Sequence, residues 1–113
     1  MIYDLNTSQD YDRLLQASHE RPVLLLKHST HCPISASGWR EFQKFAEQEP
    51  RADFYRVLVV ENRPLSQHIA RDTGIAHESP QAFLFYQGRV VWNSSHWSIT
   101  VSNMSRALKE TFG

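Results

Sequence analysis

Hydrophobic positions along this chain change period in a regular order. Val23-Leu24-Leu25-Leu26 is an unbroken apolar run, as expected of a strand covered on both faces. Phe54 to Val60, rich in aromatic and β-branched residues, reads as a second central strand. Around these runs the spacing is helical. Tyr11, Leu14, Leu15 and Ser18 predict a first helix behind Thr7 to Asp10, where a hydroxyl followed three residues later by a carboxylate fits a capping box. Trp39, Phe42, Phe45 and Ala46 form the buried stripe of a second helix from about Pro33 to Gln48, with Arg40, Glu41, Lys44 and Glu47 toward solvent. A third helix, Pro64 to Thr73, stops at Gly74. Val101, Met104, Ala107 and Leu108 have core spacing in a last helix from about Thr100 to Thr111.

Short alternating stretches complete the pattern. Residues 2 to 6 predict a first strand. Gln81 to Tyr86, the pair Gln87-Gly88 and Arg89 to Trp92 predict a hairpin with a tight turn. Ser94, Ser95 and His96 read as a polar loop. The element order is β α β α β α β β α. It implies an α/β fold with a mixed sheet, parallel where helices cross over and antiparallel at the hairpin, and helices on both faces.

Composition narrows the function classes. With 113 residues the chain is expected to be one domain, 1–113, large enough to bury a core without disulfides. Twelve basic and twelve acidic side chains cancel, leaving no net field for nucleic acid or an anionic membrane. The longest fully apolar run is far short of the ~18 residues that span a bilayer. The start, Met1-Ile2-Tyr3-Asp4-Leu5, lacks the pattern of a signal peptide. A cytoplasmic location is expected. The single cysteine, Cys32, rules out an internal disulfide and a thiolate-rich zinc site.

That cysteine sits where the first central strand gives way to the second helix, in Lys27-His28-Ser29-Thr30-His31-Cys32-Pro33-Ile34-Ser35. Pro33 suits the first helical position, so Cys32 falls at the helix cap. Free N–H groups and the partial positive charge of a helix N-terminus favour a thiolate, the form of a thiol that does chemistry. Ser35 lies one turn on, where its hydroxyl is expected to donate to that thiolate. His31 and Lys27 are candidates for added positive field. A lone cysteine is most often a buried small hydrophobe; the polar neighbours Thr30, His31 and Ser35 argue against that here.

Several thiol chemistries drop out. A tyrosine-phosphatase loop needs an arginine six residues after its cysteine, and that position is Gly38. A cysteine protease would need a cleft for which 113 residues leave little room. A Cys-x-x-Cys dithiol is excluded by Ser35. One-thiol exchange with an external disulfide remains.

Strand, Cys-x-x-Ser at a helix start, a later Gly74-Ile75, then Ser79-Pro80 opening a hairpin is similar to the thioredoxin fold. More closely, Lys27-His28-Ser29-Thr30, Cys32-Pro33-Ile34-Ser35 and His77-Glu78-Ser79-Pro80-Gln81 resemble the monothiol bacilliredoxin family over nearly the whole chain. The resemblance implies a thioredoxin-like fold with Pro80 cis and facing the cysteine. It also implies removal of bacillithiol from protein mixed disulfides. Cys32 would be the nucleophile, supported by Pro33, Ser35 and His31. Pro80 and the backbone of Ser79 would hold the substrate. His77 and Glu78, just before that proline, read as substrate-binding residues lining the site or equally as residues of a surface loop. Bacillithiol enters as co-substrate, with no bound cofactor or metal. The partners are S-bacillithiolated proteins and the low-molecular-weight thiol.

Other residues have plainer readings. His28 fits a satisfied structural histidine, and Trp39, Trp92 and Trp97 fit packing. Lys27 or Arg71 would suit bacillithiol's carboxylates, although scattered basic residues usually just solvate a face. His96 reads as a loop histidine, and a metal site from His28, His31 and Cys32 conflicts with a turn that aims them apart. The alternative function is a non-catalytic binding or adaptor protein, including one that holds an iron–sulfur cluster between two chains. Pro33, which stiffens the loop, argues against cluster binding.

Overall fold

The structure, a computed structural model, describes residues 1–112. Elements follow in the expected order: β1 (Ile2–Asp4), α1 (Ser8–Ala17), β2 (Val23–His28), α2 (Pro33–Gln48), β3 (Asp53–Leu58), α3 (Arg63–Thr73), β4 (Gln81–Tyr86), β5 (Arg89–Ser95) and α4 (Val101–Phe112). The five strands lie in the order β1-β3-β2-β4-β5. β3 is parallel to both β1 and β2. β4 runs antiparallel to β2 and to β5.

Local chemistry accounts for the boundaries. Thr7 Oγ1 accepts from the Asp10 N–H while Asp10 Oδ2 accepts from the Thr7 N–H, so the capping box closes as expected. α3 ends at Gly74, whose φ of 72° few side chains tolerate. Gln87 and Gly88 both have positive φ, which gives the hairpin its tight turn.

Alternation along β2 divides the core. Leu24 and Leu26 face α2 and α4, packing with Phe42, Phe45, Met104 and Leu108. Val23 and Leu25 face α1 and α3, packing with Tyr11, Leu14, Leu65 and Ile69. All six residues of β2 are buried, as a central strand requires.

Some boundaries differ from the sequence reading. β3 ends at Leu58: the Val59 N–H still donates to the carbonyl of His28 in β2, and the chain then turns, with the Asn62 N–H donating to the Leu58 carbonyl. β5 continues through Ser94 and Ser95, which pair with Ala82 and Gln81 instead of forming a loop. It also carries a bulge: Leu84 pairs with Trp92 and Phe85 with Val90, so Val91 is left over and exposed. A 3₁₀ turn, His96–Ser98, then lifts Trp97 into solvent at 67% exposure, so Trp97 is not a packing residue.

Candidate active site

β2 delivers the cysteine loop to the edge of the sheet, and α2 receives it. The Cys32 carbonyl accepts from the Ala36 N–H at 3.1 Å, which makes Cys32 the N-cap residue. Pro33 follows at the first helical position and has no N–H. The partly exposed thiol makes no capping hydrogen bond. The first turn of α2 therefore keeps donors that are free to face a thiolate.

Ser35 does not take the role expected of it. It is fully buried, and its Oγ lies 2.9 Å from His28 Nδ1 and accepts from the Ser29 N–H at 2.9 Å. Burial, and then the nearby Arg56 guanidinium, lower the pKa of His28 and favour the neutral ring. His28 Nδ1 and the Ser29 N–H hold the Ser35 hydroxyl in place, and no hydrogen bond joins it to the sulfur. Ser35 supports the thiol at one remove by shaping the loop. It fixes Ser29, whose carbonyl takes the Cys32 N–H at 3.5 Å and whose Oγ takes the His31 N–H at 3.3 Å. The His31 side chain is exposed and makes no hydrogen bond among the described residues.

His28 is the structural histidine that was expected. It stacks on Trp39 at 5.3 Å between ring centroids. The Arg56 guanidinium lies 4.6 Å from the Trp39 centroid and pairs with Asp4. No group of three or more His, Cys, Asp or Glu side chains placed to hold a metal ion occurs among the described residues.

The second half of the site is the loop before β4. The Ser79–Pro80 bond is cis. Pro80 is buried against α2: a Cβ built on Gly38 would lie 3.5 Å from Pro80 Cβ and Cγ, and 3.7 Å from Ile99 Cδ1. The pairing of Lys27 with Gln81 puts Pro80 at the same end of the sheet as the cysteine loop. The Ser79 hydroxyl is buried without a partner, and no hydrogen bond among the described residues takes up the Ser79 backbone N–H or carbonyl. Buried polar groups are normally paired, so this loop offers unmet donors and acceptors next to the thiol loop. Glu78 is exposed, with Oε2 3.7 Å from His96 Nε2, and the His96 N–H donates to the Pro80 carbonyl.

The space beside Gly38 supports a prediction. An alanine methyl makes ordinary contacts there and suits a helix interior better, so Gly38→Ala is expected to raise the unfolding free energy from urea titration by up to about 1 kcal/mol with activity kept. Gly38→Leu overfills the gap, costs about 1–3 kcal/mol and lowers turnover by displacing Pro80.

Two residues that sequence reasoning undervalued hold this loop from beneath. Gln81 is buried; its Oε1 accepts from the Glu78 N–H and its Nε2 donates to the Ala76 carbonyl. Lys27 is fully buried, not solvating a face. Its ammonium donates to the Ser66 carbonyl at 3.0 Å and to His77 Nδ1 at 3.1 Å. Burial pushes Lys27 down to about 8, and burial together with that ammonium holds His77 below its ordinary range. A lysine at the end of an apolar run looks like an exit to solvent. The sequence holds no sign that α3 covers it.

Against known families, residues 3–104 match the model of monothiol bacilliredoxin BrxC. The chain belongs to the monothiol bacilliredoxin family. It is a thiol oxidoreductase of the thioredoxin fold, and Cys32 is the only thiol it has. A solved structure described as a candidate oxidoreductase with a thioredoxin fold is 38% identical, with a TM-score of 0.87 over 94% of this chain and 92% of that one. Two thioredoxins share the fold alone. The one from Malassezia sympodialis is 18% identical, with a TM-score of 0.75 over 97% of this chain and 90% of its own. Spinach chloroplast thioredoxin f is 15% identical, with a TM-score of 0.78 over 99% and 94%. The bacilliredoxin likeness proposed from the cysteine and Ser79-Pro80 motifs therefore holds.

Proposed function

We propose that this bacilliredoxin removes bacillithiol from S-bacillithiolated proteins in the cytoplasm by one-thiol exchange at Cys32, with bacillithiol as co-substrate and no bound cofactor. The observation that carries the reading is the pairing of one accessible thiol at a helix cap with a buried Ser35 committed to other partners. Such a site accepts a sulfur adduct and has no internal thiol with which to expel it.

The Cys32 thiolate attacks the bacillithiol sulfur of the mixed disulfide. The bond between that sulfur and the target cysteine breaks, and a Cys32–bacillithiol disulfide forms. The target leaves as a thiolate and takes a proton from solvent. A second thiol from outside then attacks the adduct and restores Cys32. Ser79 supports substrate binding: its unmet backbone groups suit an extended segment of the target, paired as a strand would be.

The substrate preference is open to direct test. One model protein carrying either bacillithiol or glutathione on a single cysteine is incubated with the reduced enzyme, and loss of each adduct is followed by intact mass. Faster loss of the bacillithiol adduct is expected. Equal rates, or a preference for glutathione, would contradict the assignment.

A further inference from the structure

A small cavity of about 130 Å³ opens beside the loop that carries Pro80. It is lined by Val59, Val60, Arg63, Ser66, Gln67 and His77. Its place in the fold ties it to the thiol. Val59 hydrogen-bonds the carbonyl of His28, the last residue before the cysteine loop, and His77 is two residues from Ser79.

The charge around this cavity is one-sided. Ser66 and His77 in its wall are the two hydrogen-bond partners of the buried Lys27 ammonium. Arg63 adds a second cation at the mouth. Among the described residues neither Lys27 nor Arg63 pairs with a carboxylate. The acidic neighbours Glu61 and Glu78 do not line the space, and Glu78 lies beside His96 instead. Since an ammonium has no lone pair, its bond to Nδ1 puts the His77 proton on Nε2, making that atom a donor. A buried cation is normally paired, and here the missing partner is an anion. The volume is well above what one water molecule needs and has room for a carboxylate group.

We propose that this cavity holds a carboxylate of the small thiol whose disulfide Cys32 attacks. Arg63 and His77 act as donors to it, Lys27 as the fixed charge behind them, and Gln67 as a wall. The inference rests on the proposed function and adds to it the means by which the thiol is recognised. These are binding residues and take no part in the sulfur exchange.

The test compares bacillithiol on a model protein with the same adduct methyl-esterified at its carboxylates. Wild type is expected to reduce the free acid about tenfold more efficiently, as kcat/KM, than the ester, as fits a charge-assisted hydrogen bond. Arg63→Gln, an exposed position where the fold is not at stake, should remove most of that preference, through a raised KM for the free acid. Gln67→Glu, which puts a negative charge in the wall, should do the same. Equal rates for acid and ester in wild type, or a preference that survives both substitutions, would overturn the cavity assignment while leaving de-bacillithiolation standing. Failure of wild type to reduce either adduct would overturn both.

Discussion

Cys32→Ala is expected to reduce a bacillithiol mixed disulfide no faster than the external thiol does alone. The chain has no second cysteine to take over. Ser35, through Ser29, and His28, through Ser35, hold the loop that carries Cys32. None of those groups can form a bond to sulfur once the thiol is gone. Partly exposed and making no capping hydrogen bond, the side chain should be removable at little cost in stability. An unchanged urea midpoint alongside the lost turnover separates chemistry from folding. Turnover that persists in the variant would remove the thiol from the mechanism.

Lys27→Met is expected to stabilise the fold at pH 7 by about 1–3 kcal/mol. Lowering this lysine from 10.5 to about 8 means that the folded chain holds the ammonium at a cost of about 3 kcal/mol relative to the unfolded chain. The lost hydrogen bonds offset part of that gain, although His77 Nδ1 keeps Ser66 Oγ at 3.2 Å. Between about pH 8 and 10.5 the unfolded chain binds the extra proton, so wild-type stability should rise with pH across that window. The methionine variant should show no such rise. Urea midpoints at pH 7 and 9.5 check both statements, and a variant less stable than wild type at pH 7 would contradict them. A cost of this size in a natural sequence fits a residue kept for the site it supports.

The fold was legible wherever burial and backbone chemistry coincide in sequence. Val23 to Leu26 is apolar because both faces are covered, and Thr7, Asp10, Gly74 and Gln87-Gly88 mark ends that local hydrogen bonding or φ dictates. Asn93-Ser94-Ser95 misled because an edge strand needs only backbone pairing, which polar residues supply as well as apolar ones. The positions of Cys32 and Ser79-Pro80 could be read directly. Ser35 could not: its spacing from Cys32 suggested a bond to sulfur, but the end of β2 and the residue after it bring His28 Nδ1 and the Ser29 N–H to its hydroxyl instead. Lys27 was hidden for a related reason, since only the packing of α3 on the sheet determines that its ammonium never reaches water.

The central claim is that Cys32 itself takes over the small thiol. The most direct measurement mixes the reduced enzyme with one equivalent of a bacillithiolated protein, quenches with acid, and maps the adducts by peptide mass. The account predicts one bacillithiol-mass addition on the peptide containing Cys32 and a free thiol on the former target. A disulfide joining Cys32 to the target cysteine, or bacillithiol still on the target, would contradict it.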